Sequence, residues 1–215
     1  VKDPDGRLVG MITVDDMVHV IQEENTEDLL ALANVSSADG SDTVWESVKA
    51  RAPWLGINLI TAFIASAIIA LFEGTLDRLV QLAILMPVVA ALAGNAGSQG
   101  LAVAVRAIAE REMDGKAGRR AVVRETLTGL VNGVIFAIGV GLVAFFWFQD
   151  VNLAVVLGVA MLASFLWAGV SGILVPLTLK RMGADPAVAS SVFVLTLTDT
   201  MAFFSFLGLA TLFLL

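Results

Sequence analysis

Hydrophobic residues in this chain come in long unbroken runs. Five stretches stand out: Pro53–Phe72, about Leu79–Ala109, about Glu125–Phe148, about Asn152–Leu179 and Pro186–Leu215. At ~1.5 Å rise per residue, twenty apolar residues cross a hydrocarbon core of ~30 Å. The pattern therefore predicts an all-α integral membrane protein with five transmembrane helices. Ahead of them the pattern changes. Asp3-Pro4-Asp5-Gly6 is a turn signal, Leu8 to Val14 reads as a short buried strand, and Asp15 is placed to cap a helix from Asp16 to about Glu23. Residues 23–50 are polar and acidic, with Thr26 as the expected cap of a helix from Glu27 to about Asn34. A Ser, Asp and Gly loop from Ser36 to Ser41 follows, then a short helix from Thr43 to Ala50. The expected division is residues 1–22, 23–52 and 53–215. The strand-like opening without an initiator Met or signal peptide pattern reads as a piece of a longer protein.

Composition agrees with the runs. Hydrophobic residues make up 58% of the 215, charged residues 15%, and the mean hydropathy is +0.87; soluble domains carry about 25% charge. The chain has no Cys and one His, which excludes disulfides, thiolate metal sites and His-rich zinc sites. No nucleophile–base pair emerges, so an intramembrane enzyme is not expected. Residues 1–50 hold eleven acids and three bases; the remainder holds nine acids and ten bases. An acidic segment repels nucleic acid and suits cations.

Ten bases flank the expected membrane helices on one side: Lys49, Arg51, Arg106, Arg111, Lys116, Arg119, Arg120, Arg124, Lys180 and Arg181. The other side has only Arg78. The positive-inside rule then places the N-terminus in the cytoplasm and the C-terminus outside.

Against this apolar background a few polar residues carry chemistry. Asp199 lies thirteen residues after Pro186, near mid-membrane. A carboxylate there costs several kcal/mol, about 3 on insertion scales, unless it faces protein, water or a cation. It either ties helices together through Thr196, Thr198 or Thr200, or it lines an ion path. In the second run Pro87 removes a backbone donor, and Gly94-Asn95-Ala96-Gly97-Ser98-Gln99-Gly100 follows. Asn95, Ser98 and Gln99 share one helical face, either as glue between helices or as the lining of a wet cavity. Glu125, at the expected start of the third helix beside Arg124, suits the helix dipole there. Asp15, Asp16, Glu23, Glu24, Glu27 and Asp28 form an acidic group whose mutual repulsion a hard divalent cation would relieve. His19 and the four tryptophans need no special role. Two chains related by a twofold axis would set two Asp199 carboxylates against one divalent charge. Charge alone fits Ca²⁺, Mn²⁺ and Mg²⁺.

The step to magnesium comes from a resemblance. Pro87, Gly94-Asn95-Ala96-Gly97-Ser98-Gln99 and Arg106-Ala107 resemble the second-helix signature of MgtE magnesium channels. Arg124-Glu125 with Gly129 and Gly133 is similar to their third helix, and Asp185-Pro186-Ala187 with Thr196-Leu197-Thr198-Asp199 to their fifth. Gly10-Met11-Ile12-Thr13-Val14-Asp15-Asp16 looks like the end of a CBS domain, and Glu24-Asn25-Thr26-Glu27-Asp28 like the start of the connecting, or plug, helix. The resemblance implies a homodimer in the lipid bilayer of a plasma membrane, the bacterial inner membrane, with a pore on its axis. It implies that Asp199 and the backbone carbonyl of Leu195 bind hydrated Mg²⁺. Pro87, Gly94, Asn95, Ser98, Gln99 and Thr196 would line the pore, and Glu125 would matter for transport. Mg²⁺ bound as a regulator by Asp16, Glu24, Glu27 and Asp28 would shut the pore. A proton- or ion-coupled carrier of Mg²⁺, Mn²⁺ or Co²⁺ is the alternative, and a membrane anchor for a sensor domain a third.

Overall fold

The computed structural model describes residues 7, 10–33, 35, 42–109 and 116–215, except the side chains of Asp28 and Lys116. Among them there are seven helices and no strand: α1 (Val14–Leu32), α2 (Val44–Ala70), α3 (Glu73–Arg78), α4 (Val80–Ala109), α5 (Lys116–Phe148), α6 (Val151–Arg181) and α7 (Pro186–Phe213). Five of them, α2, α4, α5, α6 and α7, are long and apolar enough to span a bilayer. This is an all-α membrane fold of five spanning helices.

Local chemistry sets the helix ends. Thr13 and Asp16 form a capping box at α1: Thr13 Oγ1 accepts from the Asp16 amide at 3.2 Å, and Asp16 Oδ2 accepts from the Thr13 amide at 2.9 Å. Thr43 and Glu46 repeat the device at α2. Asp150 caps α6 by accepting from Asn152 and Leu153, and Asp185 caps α7 from the Ala187 amide, with Pro186 in the first turn. The α6–α7 turn passes through Gly183 at φ +78°, a left-handed conformation that glycine adopts without strain.

The N-terminal part differs from the sequence reading in four ways. Gly10 to Thr13 is not a strand and its side chains are exposed; a strand needs a ladder partner, and none exists among the described residues. Leu8 and Val9 lie outside those residues, as do Asn34 and the expected 36–41 loop. Thr13, not Asp15, caps α1. The two helices expected either side of Thr26 are one: Thr26 sits in the interior of α1 and its hydroxyl donates to the Gln22 carbonyl, 2.9 Å. The boundary expected at residue 22 thus falls inside a helix, and the helix expected at Thr43–Ala50 runs without a break into the first spanning helix. Further on, the expected loop after Phe72 holds the short helix α3, whose buried Thr75 meets Thr211 of α7, hydroxyl to hydroxyl, at 2.7 Å.

In the bundle α6 is central. In its most apolar stretch 56% of residues are buried, against 6% for α2. Leu82, Val89 and Ala93 of α4, Leu157, Ala160 and Met161 of α6, and Ala202, Phe206 and Leu207 of α7 make the core. Lipid tails are as apolar as these side chains, so the helices are held by close packing rather than by the hydrophobic effect. Glycines supply that closeness. A Cβ on Gly129 would lie 2.7 Å from the Phe165 carbonyl, and one on Gly169 2.8 Å from the Glu125 carbonyl. The backbones of α5 and α6 therefore touch along this seam. α2 packs chiefly against α7. The last residues of α1, Ala31 and Leu32, rest on Leu101, Val105, Ala187 and Val194, where α4 ends and α7 begins.

Candidate ion site between α4 and α7

Asp199 lies halfway along α7, ~20 Å from its first residue. It is half-buried. The absence of side chains from α4 makes room for it. A Cβ on Gly94 would meet Asp199 Oδ1 at 3.8 Å and Leu195 Cδ2 at 3.5 Å, and one on Gly97 would meet Thr198 Cγ2 at 2.8 Å. Gly94 and Gly97 thus let α7 approach with its carboxylate turned toward the α4 backbone.

The threonines around Asp199 do not hold it. Thr196 Oγ1 donates to the Val192 carbonyl at 2.7 Å, and Thr198 Oγ1 donates to the Leu195 carbonyl at 3.0 Å. The Thr200 hydroxyl is buried and has no hydrogen-bond partner. Among the described residues Asp199 accepts no hydrogen bond and forms no ion pair. The tying role weighed above therefore has no geometry behind it. The Leu195 carbonyl, the other expected ligand, already serves Thr198.

On α4 the expected lining residues separate into two groups. Gly94 is buried in the contact with α7, whereas Pro87, Asn95, Ser98 and Gln99 are exposed on the surface of the bundle. Their exposed stripe also includes Ala91 and Ala102, which the sequence reading did not single out. The spacing 87, 91, 95, 98, 102 is the signal that marks them, since it keeps one helical face. Two amides and a hydroxyl on a face that α4 turns away from its own bundle are costly against lipid, so that face suits water, an ion or a partner.

Glu125 has a different setting from the one expected. α5 begins at Lys116, so Glu125 is in its third turn, beyond the reach of the N-terminal dipole. The polar turns before it continue the helix outside the apolar run. Its side chain is 14% exposed and accepts from Arg124 Nε at 3.3 Å, and its carbonyl lies in the tight contact with Gly169. No hydrogen bond or ion pair joins it to Asp199.

The acids of α1 are not gathered into a site. Asp16, Glu24 and Glu27 are exposed, the Asp28 side chain lies outside the described residues, and no three acidic or His side chains converge among those described. The Asp16 carboxylate is committed to its capping box. Hydrogen bonds from the Thr13 backbone amide, and then from its hydroxyl, hold its pKa below the usual carboxylate value.

The model of the MgtE family, described as divalent cation transporters, matches residues 86–209. This chain belongs to the MgtE family. The match begins one residue before Pro87 and ends ten after Asp199, so it contains all of the candidate site on α4 and α7 and leaves out α1 and α2. Among related proteins, the magnesium transporter MgtE of Enterococcus faecalis is 34% identical over 214 residues, covering all of this chain and 47% of the relative. That of Thermus thermophilus is 35% identical over 221 residues, covering all of this chain and 48% of the relative. That of Bacillus subtilis is 32% identical over 212 residues, covering 96% and 46%. The chain spans about half the length of the curated relatives it matches. The MgtE family is one of transporters, not enzymes.

Proposed function

We propose that the chain conducts Mg²⁺ across a plasma membrane as a homodimer, with Asp199 of each copy facing the pathway and the stripe of Pro87, Asn95, Ser98 and Gln99 along its wall. The observation that carries this reading is a mid-helix carboxylate, half-buried against Gly94, that no described protein group satisfies. Mg²⁺ dehydrates reluctantly and usually keeps several waters. A pathway for it needs acceptors for the protons of those waters more than it needs direct ligands. Asp199 supplies the charge, and the side-chain carbonyls of Asn95 and Gln99 supply neutral acceptors. One carboxylate leaves a divalent ion half-compensated; a symmetry mate supplies the other. Membership of the divalent cation transporter family and the magnesium transporters among the relatives support this choice of ion.

The finer parts of the reading rest on the same grounds. The Leu195 carbonyl and Thr196 belong beside Asp199 on the path, and Glu125 acts on transport from the α5–α6 side. The N-terminus is cytoplasmic and the C-terminus external, from the distribution of Lys and Arg. Residues 1–22 belong to the end of a CBS domain and 23–52 to a connecting segment, α1 running unbroken from one into the other. Asp16, Glu24, Glu27 and Asp28 answer to internal Mg²⁺, and the seat of Ala31 and Leu32 on α4 and α7 gives that response a route to the pore.

Flux into proteoliposomes tests the core of the proposal. Asp199→Ala is expected to lower Mg²⁺ uptake at least tenfold, the loss of about 1.4 kcal/mol or more of ion stabilisation. Uptake equal to the parent, with the variant folded, removes Asp199 from the path. Uptake that follows a pH gradient rather than the Mg²⁺ gradient favours the coupled carrier.

A further inference from the structure

The start of α5 carries a charged groove that the proposed pathway does not use. Arg119, Arg120, Val123, Arg124 and Leu127 line an open groove of about 560 Å³. Arg119 and Arg120 are exposed and make no ion pair or side-chain hydrogen bond among the described residues. Arg124 spends its Nε on Glu125 and is 64% exposed. Among the described residues, three guanidinium groups therefore face outward with a single, largely covered carboxylate between them.

The same face of α5 continues as an apolar stripe. Val123, Leu127, Val131, Val134, Ile138 and Leu142 are all exposed and follow helical spacing. From Val123 to Leu142 the helix rises ~28 Å, close to the thickness of a bilayer's hydrocarbon core. Along this stripe α5 turns away from α6, so the stripe lies on the outer face of the bundle, open to lipid. The arginines stand at its end, where headgroups lie.

We infer that this face of α5 binds an anionic phospholipid, its phosphate held by Arg119, Arg120 and Arg124 and an acyl chain laid along Leu127 to Leu142. The chemistry selects this occupant on two counts. Guanidinium groups match phosphate with paired N–H donors, which a zwitterionic lipid answers less well because its own ammonium offsets its phosphate. A free anion or an acidic peptide uses the arginines but leaves the apolar stripe unserved, whereas a lipid uses both. The inference concerns the outer face of the bundle and stands whether or not Asp199 lines an ion path.

Native mass spectrometry of the whole chain in detergent, titrated with phosphatidylglycerol or phosphatidylcholine, tests it. The parent should bind phosphatidylglycerol tighter than phosphatidylcholine. Arg119→Gln with Arg120→Gln should weaken phosphatidylglycerol roughly fivefold per arginine, about 25-fold for the pair, and leave phosphatidylcholine unchanged. Arg119→Lys with Arg120→Lys, which keeps the charge, should retain most of the preference and so separates lost charge from lost fold. Equal binding of the two lipids by the parent overturns the proposal, and so does an undiminished preference in the Gln pair. Displacement of phosphatidylglycerol by millimolar inorganic phosphate also overturns it, since the groove is then a site for the free anion.

Discussion

Two of the glycine seams in this bundle are built to different ends. Between α5 and α6, Gly129 and Gly169 bring backbone against backbone, with carbonyls 2.7 and 2.8 Å from where a Cβ would sit. Phe136 stacks on Phe165 beside them, ring centroids 5.3 Å apart. The atoms nearest to both positions are backbone, and the seam is closed. Between α4 and α7, Gly94 and Gly97 meet side chains: Leu195 and Asp199 at the first, Val194 and Thr198 at the second. Side chains stand between the backbones here, and at Gly94 the space gained is given to a carboxylate. The same small residue therefore serves a structural weld in one place and a recess for charge in the other. What a glycine is for is decided by what stands opposite it, backbone or functional group.

Adding a methyl group to each seam should break this parallel. The largest effect belongs to the closed seam. Gly169→Ala sets a Cβ against a carbonyl that cannot rotate away, so α5 and α6 must separate; a loss of about 3 kcal/mol is expected, read as a lower unfolding temperature in detergent. Gly97→Ala meets the methyl groups of Thr198 and Val194 and should cost less, about 1 kcal/mol, because side chains yield before backbone does. A smaller loss for Gly169→Ala than for Gly97→Ala overturns the distinction.

Gly94→Ala sharpens it. Its Cβ would stand at ordinary contact distances, so stability should change by less than about 0.5 kcal/mol. The methyl group would nonetheless occupy the space beside Asp199 Oδ1, and Mg²⁺ flux should fall several-fold. A drop in stability with flux intact would mean that the recess is only packing.

The smallest effect is at α1, outside both seams. The pKa of Asp16 is lower folded than unfolded, so its contribution is in place above the unfolded value of about 4 and is lost as pH falls through the folded value. Amide protection in the first turn of α1 should therefore decline as the pH is lowered below about 4. Asp16→Asn should remove that dependence, and its persistence would place the titrating group elsewhere.

The five-helix membrane fold is legible from the sequence because a bilayer imposes a length on apolar runs that no other solvent does. Asp199 is legible for the same reason, as an acid alone in such a run. The water-exposed turns are harder to read. Lys116 to Arg124 continue α5 outside the bilayer, where hydropathy gives no signal, and this moved Glu125 from a helix start to a third turn. Thr26 has the side chain of a cap, but it serves equally well bonded back to Gln22 inside a helix. The partner of each glycine is not local information at all. That Gly94 faces Asp199 while Gly169 faces a carbonyl depends on how α4, α6 and α7 cross.

Gly97 stands where three helices meet. A Cβ there would press on Thr198 of α7, while its own carbonyl lies 2.8 Å from the position a Cβ on Gly172 of α6 would take. A side chain at either glycine would have to push a neighbouring helix away, so the three helices share this level only because neither residue carries one. The level lies one turn along α4 from Gly94, which faces the carboxylate.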